Sequence, residues 1–307
     1  MSSPGESGAS PGRSVARVVE STTTVEGGGF TVRRSFPTPA LSFFDPFLLL
    51  DEMGPTVSAP GEAKGAPDHP HRGFQTVTYL LSGESRHRDS AGNAGVLRAG
   101  DVQWMTAGSG VIHAEMPTEE FQRQGGVTHG FQVWVNLPGR DKMVAPRYQD
   151  VPSASIPVVT SADGSVTIKV IAGEALGARA VIETHTPITY LHVTLRPGGA
   201  LFQPLPDTFN AFVYAFRGAP VVGEGADARP LAAGELGILD ARGHGVSLSL
   251  PADAAAPAEL LLLGGQPLQE PVARYGPFVM NTRAEIIQAV EDYQAGRFGQ
   301  IPGADAG

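Results

Sequence analysis

Cysteine is absent from all 307 residues. Disulfides, thiolate metal ligands, iron–sulfur clusters and thiol nucleophiles are therefore excluded. Positive charge is scarce: 22 Lys and Arg stand against 31 Asp and Glu, for a formal net charge of -9. No Lys/Arg-rich run interrupts that acidity, so phosphate backbones are repelled and direct nucleic-acid binding is not expected. No apolar run approaches the roughly 18 residues of a membrane span. The first 15 residues are rich in Ser, Gly and Pro and hold no apolar stretch of signal-peptide type. They are expected to form a disordered leader. A soluble, cytoplasmic protein is the expectation, or a nuclear one in a eukaryote.

Glycine (39) and proline (26) are plentiful and spread along the chain. That spread fits many short strands joined by tight turns. Alternating or apolar stretches recur between explicit turn signals, among them Thr76–Leu81, Val102–Met105 and Gly130–Asn136. In the last, Phe131, Val133 and Val135 share one face, and Gln132, Trp134 and Asn136 the other. A second series begins near Val166 and ends near Leu263. The phrases LRAGDVQWM (97–105) and LAAGELGIL (231–239) both run leucine, x, Ala-Gly, acid, then an apolar strand, which points to a duplicated β-domain. The expected layout is an N-terminal domain over 16–140, an irregular Pro-rich linker over 141–157, a C-terminal domain over 158–275 and a tail over 276–307. Within the tail one helix is expected at 283–296. Thr282 and Glu285 form a capping box, and Ile286, Ile287, Val290 and Tyr293 form an apolar stripe that Gly296 ends.

Two short patterns carry chemistry. His69-Pro70-His71 puts two imidazoles at i and i+2, on one face of a strand, and Pro70 places that strand at an edge or a start. His113-Ala114-Glu115 repeats the arrangement with an imidazole and a carboxylate. Two such pairs on neighbouring strands converge on one centre, so a divalent transition metal held by His69, His71, His113 and Glu115 is expected. If the strand stays regular, Gly73 and Gln75 extend the face of His69 and His71. Gln75 then projects beside the metal, and Gly73 leaves room for a ligand. Arg72 is a candidate partner for an anionic substrate, though a structural ion pair explains it better. His87, in the charged run Ser85–Asp89, reads as a solvated hairpin tip. His129 reads as structural or surface, and Trp104 and Trp134 as core. His185, His192 and His244 lack metal-ligand spacing.

The stretches DHPHRGFQTVTYLLSG (68–83), GDVQWMTAGSGVIHAEMP (100–117), HGFQVWVNLP (129–138) and GPFVMNT (276–282) resemble the signatures of the pirin family, two-domain members of the cupin superfamily. The resemblance runs from about residue 16 onward. It implies an all-β protein of two stacked cupin (jelly-roll) barrels with a C-terminal helix and metal only in the first barrel. It places ligands at the same four positions, His69, His71, His113 and Glu115. Iron(II) is the metal it implies, and manganese, nickel, cobalt, copper and zinc suit the same donors. Position 75 departs from the common pattern, which has Glu there, so Glu115 is left as the carboxylate of the centre. Two activities follow from the resemblance. One is a quercetinase-type dioxygenase acting on a flavonol and dioxygen, with Glu115 as catalytic base. The other is an iron-dependent regulatory protein that binds transcription factors or metabolic enzymes. A monomer is expected.

Overall fold

The computed structural model describes residues 12–302, and the expected leader falls mostly outside them. The chain divides into two compact units that interleave in sequence. One comprises 21–156, 181–187 and the chain from Leu268 onward. The other comprises the chain up to Glu20 with Pro157–Ala180 and Ile188–Pro267. Each unit contains a seven-stranded and a four-stranded antiparallel sheet.

In the first unit the strands are β1 (Thr22–Glu26), β2 (Phe30–Phe36), β3 (Phe47–Ser58), β4 (Ala66–His71), β5 (Phe74–Ser82), β6 (Ser85–Asp89), β7 (Ala94–Leu97), β8 (Val102–Thr106), β9 (Val111–Pro117), β10 (Gly126–Asn136) and β11 (Arg147–Val151). The large sheet runs β11-β8-β5-β10-β3-β2-β1, and the small one runs β4-β9-β6-β7. Strand β5 is rich in β-branched and aromatic residues, which suit a pleated surface. It is buried on both faces over Phe74–Leu80. A short hairpin of β12 (Ala273–Tyr275) and β13 (Phe278–Met280) completes this unit, together with helices α1 (Glu119–Gln124) and α2 (Arg283–Gln294).

The second unit repeats the plan strand for strand. Its large sheet runs Val15–Glu20, Glu235–Leu239, Asn210–Arg217, Ala258–Gly265, Ile188–Leu195, Val166–Ala172, Val158–Thr160. Glu235–Leu239 occupies the place of β8, so the two matching phrases lie at equivalent positions. The edge strand that β11 supplies in the first unit is supplied here by Val15–Glu20, from the far N-terminus.

Two expectations are corrected by these pairings. The segment 141–157 is not an irregular linker, because Arg147–Val151 hydrogen-bonds along β8. The start of the N-terminal domain shifts, because 15–20 pairs inside the other unit. The tail joins the first unit, where the backbone of Val279 donates to the Arg72 carbonyl at 3.0 Å. Helix α2 has the expected capping box at Thr282 and Glu285. Its buried face, however, is Ile286, Ala289 and Asp292, while Ile287 and Tyr293 are exposed. The expected stripe was therefore half right: packing selected Ala289, and an acidic residue took the remaining inward place.

Candidate metal centre

Strands β4 and β9 are antiparallel neighbours with His69 opposite His113. The period of two turns His69, His71 and His113 to one side, and the ring centroids lie 4.3–4.9 Å apart. One nitrogen from each ring falls within 4.8 Å of the others. Two nitrogens on one ion at about 2.1 Å each are at most about 4.2 Å apart, so small ring rotations suffice for a shared ion.

The chemistry of the three rings fits a metal. His69 Nδ1 lies 2.7 Å from the Pro67 carbonyl. A carbonyl only accepts, so Nδ1 is the donor and Nε2 is the nitrogen left for an ion. His71 Nδ1 and both nitrogens of His113 are buried without a hydrogen-bond partner. Such orphans are costly unless something absent from the protein itself satisfies them. Burial, reinforced by the neighbouring imidazoles, holds the pKa values of His71 and His113 well below the ordinary 6.5. Both rings are neutral at physiological pH, the form that ligates.

Glu115 lies on the same face of β9 but stands apart from this cluster. Its carboxylate accepts from the Thr78 hydroxyl at 2.9 Å and from the Gln132 amide at 3.3 Å. It shares a cavity of about 1180 Å³ with His69 and His71. Thr78 and Gln132, on β5 and β10, are functional neighbours that the sequence reading did not single out. The signal was present: each is a polar residue flanked on both sides by apolar or aromatic residues within its strand. Trp134 also faces this cavity, with its ring 5.2 Å from that of His71.

Gln75 does not sit beside the histidines. The run from His69 is broken at Gly73, whose φ of 87° is left-handed. Beyond the break Gln75 falls on the face of β5 opposite Thr78, and its amide donates to Thr106 at 2.8 Å. Nor does Gly73 leave room for a ligand. A Cβ there would lie 2.0 Å from the carbonyl of Val279, so β13 already fills the space. Arg72 is buried and turned away, donating to the Ser109 carbonyl at 2.7 Å and to Asp292 on α2 at 2.8 Å. Its role is the structural ion pair. Lys142 closes the same corner, with Nζ donating to the carbonyls of Gly73 (2.7 Å) and Val279 (3.0 Å) and to Asn136 (2.7 Å). Burial lowers its pKa to about 8.

His87 is not a solvated tip. It is buried, pairs with Asp150 at 3.1 Å and stacks on Tyr148. Alternation along β6 turns His87 and Asp89 inward and leaves Arg86 and Arg88 outward. His129 pairs with Glu52 at 2.8 Å. In the second unit the strands equivalent to β4 and β9 are Ala200–Pro204 and Gly245–Ser249. Their inward residues are Leu201, Gln203, Val246 and Leu248, three of them in that unit's apolar core. Among the described residues, the one group of three or more His, Asp or Glu donors close enough to share an ion is His69, His71 and His113.

Residues 29–135 match the family profile described as Pirin, and residues 190–299 match the Pirin C-terminal cupin domain. The chain belongs to the pirin family. A pirin-like protein of Solanum lycopersicum is 47% identical over 274 residues, 89% of each chain. Human pirin is 43% identical over 275 residues, covering 89% of this chain and 90% of its own. A crystal structure of quercetin 2,3-dioxygenase from Acinetobacter baumannii superposes with a TM-score of 0.87 at 37% identity, covering 94% of this chain and 99% of that one. A bacterial pirin from Escherichia coli, solved in complex with nickel(II), has a TM-score of 0.62 at 18% identity, which shows the shared fold alone. With these matches the mostly β architecture is that of two cupin domains carrying a C-terminal helix. No helix among the described residues is long and apolar enough to cross a membrane.

Proposed function

We propose that this pirin-family chain is a metal-dependent dioxygenase that opens flavonols such as quercetin with dioxygen. The observation that carries the reading is the cluster of three imidazoles, with buried ring nitrogens of His71 and His113 left without a partner, in a unit whose large cavity is lined by His69, His71 and Glu115. The likeness to a quercetin 2,3-dioxygenase across nearly the whole chain supports it. His69, His71 and His113 would hold one divalent transition metal, with iron(II) the first choice and Glu115 completing the set. Such an ion would supply Lewis acidity toward the flavonol 3-hydroxyl and a redox partner for dioxygen.

The chain's own residues do the rest. Leu49, Met53 and Trp134 give the cavity apolar surface for a planar ring system. Glu115 would take the hydroxyl proton, since Thr78 and Gln132 occupy one lone pair on each of its oxygens and leave others open. Thr78 also receives the Gln132 amide at 3.3 Å, so the two donors brace one another and aim the carboxylate.

Metal analysis of natively purified protein comes first, followed by quercetin turnover with that metal. Loss of flavonol absorbance with release of carbon monoxide is expected. Glu115→Gln should keep most of the metal and lose at least about 100-fold in kcat, in the range of general-base removal. No turnover with iron, manganese, nickel, cobalt or copper sinks the enzyme reading. The regulatory reading, an iron-dependent protein partner, would then be tested by comparing partner capture by wild type and His69→Ala.

A further inference from the structure

Three cationic side chains of Lys or Arg line the cavity beside the histidines: Arg34, Lys64 and Arg274. Two of them are engaged. Arg34 makes a bidentate pair with Asp51 at 2.8 and 2.6 Å and also meets Glu26 at 2.7 Å. Lys64 reaches the carbonyl of Gly29. Arg274 differs. Its guanidinium carbon lies 4.9 Å from the centre of the Trp134 ring, and its one described hydrogen bond goes to the carbonyl of Leu48 at 3.2 Å. A guanidinium has five N–H donors, and no carboxylate among the described residues lies within ion-pair distance of this one.

Arg274 is exposed where it lines the cavity, so its remaining N–H groups face solvent. Desolvation and the neighbouring Arg34 act against its charge, while Glu26 and Asp51 act in its favour. The indole and the guanidinium form a cation–π contact, and one of the five N–H donors meets a described acceptor. The same indole is 5.2 Å from the His71 ring. Arg274 is thus separated from the metal ligands by at most two ring-to-ring steps, the reach of a two- or three-ring aromatic molecule. The other charged groups on the wall are mostly carboxylates, including Asp68, Glu84 and Glu115. Glu26 and Asp51 on the same wall pair with Arg34, so Arg274 is the guanidinium there without a described carboxylate at ion-pair distance.

The geometry points to Arg274 as the specificity group of the cavity, selecting a planar aromatic substrate that carries a second acidic oxygen group besides the one presented to the histidines. This deepens the proposed dioxygenase reading and rests on the cavity being its substrate site. The acidic group is a carboxylate or an ionised phenol. Both offer the oxygen lone pairs that a guanidinium edge binds.

Two probe pairs test it by calorimetry on the full chain. The first pair is 3-hydroxyflavone and its 4′-carboxylate, bound to zinc-loaded protein, in which turnover is absent. Both carry the same chelating oxygens, so the metal contribution cancels. The second pair is 2-naphthoamide and 2-naphthoate, bound to chelator-treated protein, which requires neither a flavonol nor a metal. The anionic member should bind roughly 10- to 100-fold more tightly in each pair. Arg274→Gln should abolish that preference and leave the neutral member within about twofold, and Arg274→Lys should retain part of it. Phenolic probes with a second hydroxyl, titrated through their pKa, separate ionised phenol from carboxylate as the favoured group. Absence of a preference in the wild type, or a preference unchanged in Arg274→Gln, overturns the proposal. Loss of the dioxygenase reading would show as no quercetin turnover while the Arg274-dependent preference persisted.

Discussion

At His113 the demands of stability and metal binding oppose each other. The side chain is fully buried, and neither ring nitrogen has a partner. Replacing it with Leu removes an unsatisfied polar group at similar volume. His113→Leu should therefore stabilise the chelator-treated protein by about 1–2 kcal/mol while metal affinity falls by more than the ~100-fold upper range for loss of an outer hydrogen-bond partner. Urea unfolding and metal content after dialysis measure the two effects. The pH dependence follows with a definite sign. Burial depresses the folded pKa values of His71 and His113 below 6.5. Below about pH 6.5 the unfolded chain binds protons that the folded chain refuses, so metal-free stability falls as pH drops through that range. His113→Leu should show a shallower slope. A destabilised, metal-binding variant with an unchanged slope would show that His113 is structural.

β4 is held in place by its neighbour β9 and by α2, more than 200 residues away in sequence. Arg72, at the end of β4, is buried and paired with Asp292 of α2. Gln288 and Arg297 bind the other oxygen of the same carboxylate. Removing the carboxylate leaves a buried guanidinium uncompensated, which costs about 3–5 kcal/mol. Asp292→Ala should lose that much stability and speed amide exchange in both 66–71 and 283–294. A loss under about 1 kcal/mol, with exchange in 66–71 unchanged, would show that the helix does not brace the ligand strand. The capping box of α2 was legible in sequence because it is a local exchange between Thr282 and Glu285. The inward place of Asp292 was not, because only the distant Arg72 makes burial of a carboxylate tolerable. The strand at Arg147–Val151 was hidden for a similar reason: its ladder partner Val102–Thr106 supplies the order that its own residues do not signal.

For the whole molecule, the interleaving of the two units means that neither is a continuous stretch of chain. The unit that holds the histidine cluster draws its closing hairpin and helix from beyond Leu268, after the chain has built most of the other unit. Val279 hydrogen-bonds to Arg72, and Lys142 clamps Gly73 and Val279 together. Ending the chain after Gln269 should therefore reduce metal content to less than half and lower the unfolding temperature of this unit by roughly 10 °C or more, since several kcal/mol of buried contacts are lost. Calorimetry and metal analysis test this, and a truncated chain with full metal content and an unchanged transition would refute it.

The sequence by itself determined what is periodic or contiguous. The i, i+2 pairs His69/His71 and His113/Glu115, the inward Trp134, the repeated phrase at 97–105 and 231–239 and the capped helix all follow from spacings that a strand or helix imposes locally. His87 belongs with them: its inward place obeys the same period of two, although the charge of its neighbours hid it. Tertiary structure decided the features that depend on an approach between distant segments. It turned Gln75 away, because β13 occupies the space at Gly73 and forces the backbone to break there. It buried Arg72 against Asp292, and it laid Arg274 on Trp134 within reach of the histidines. Local periodicity sets which way a side chain points. Only the packing of remote segments sets what it meets.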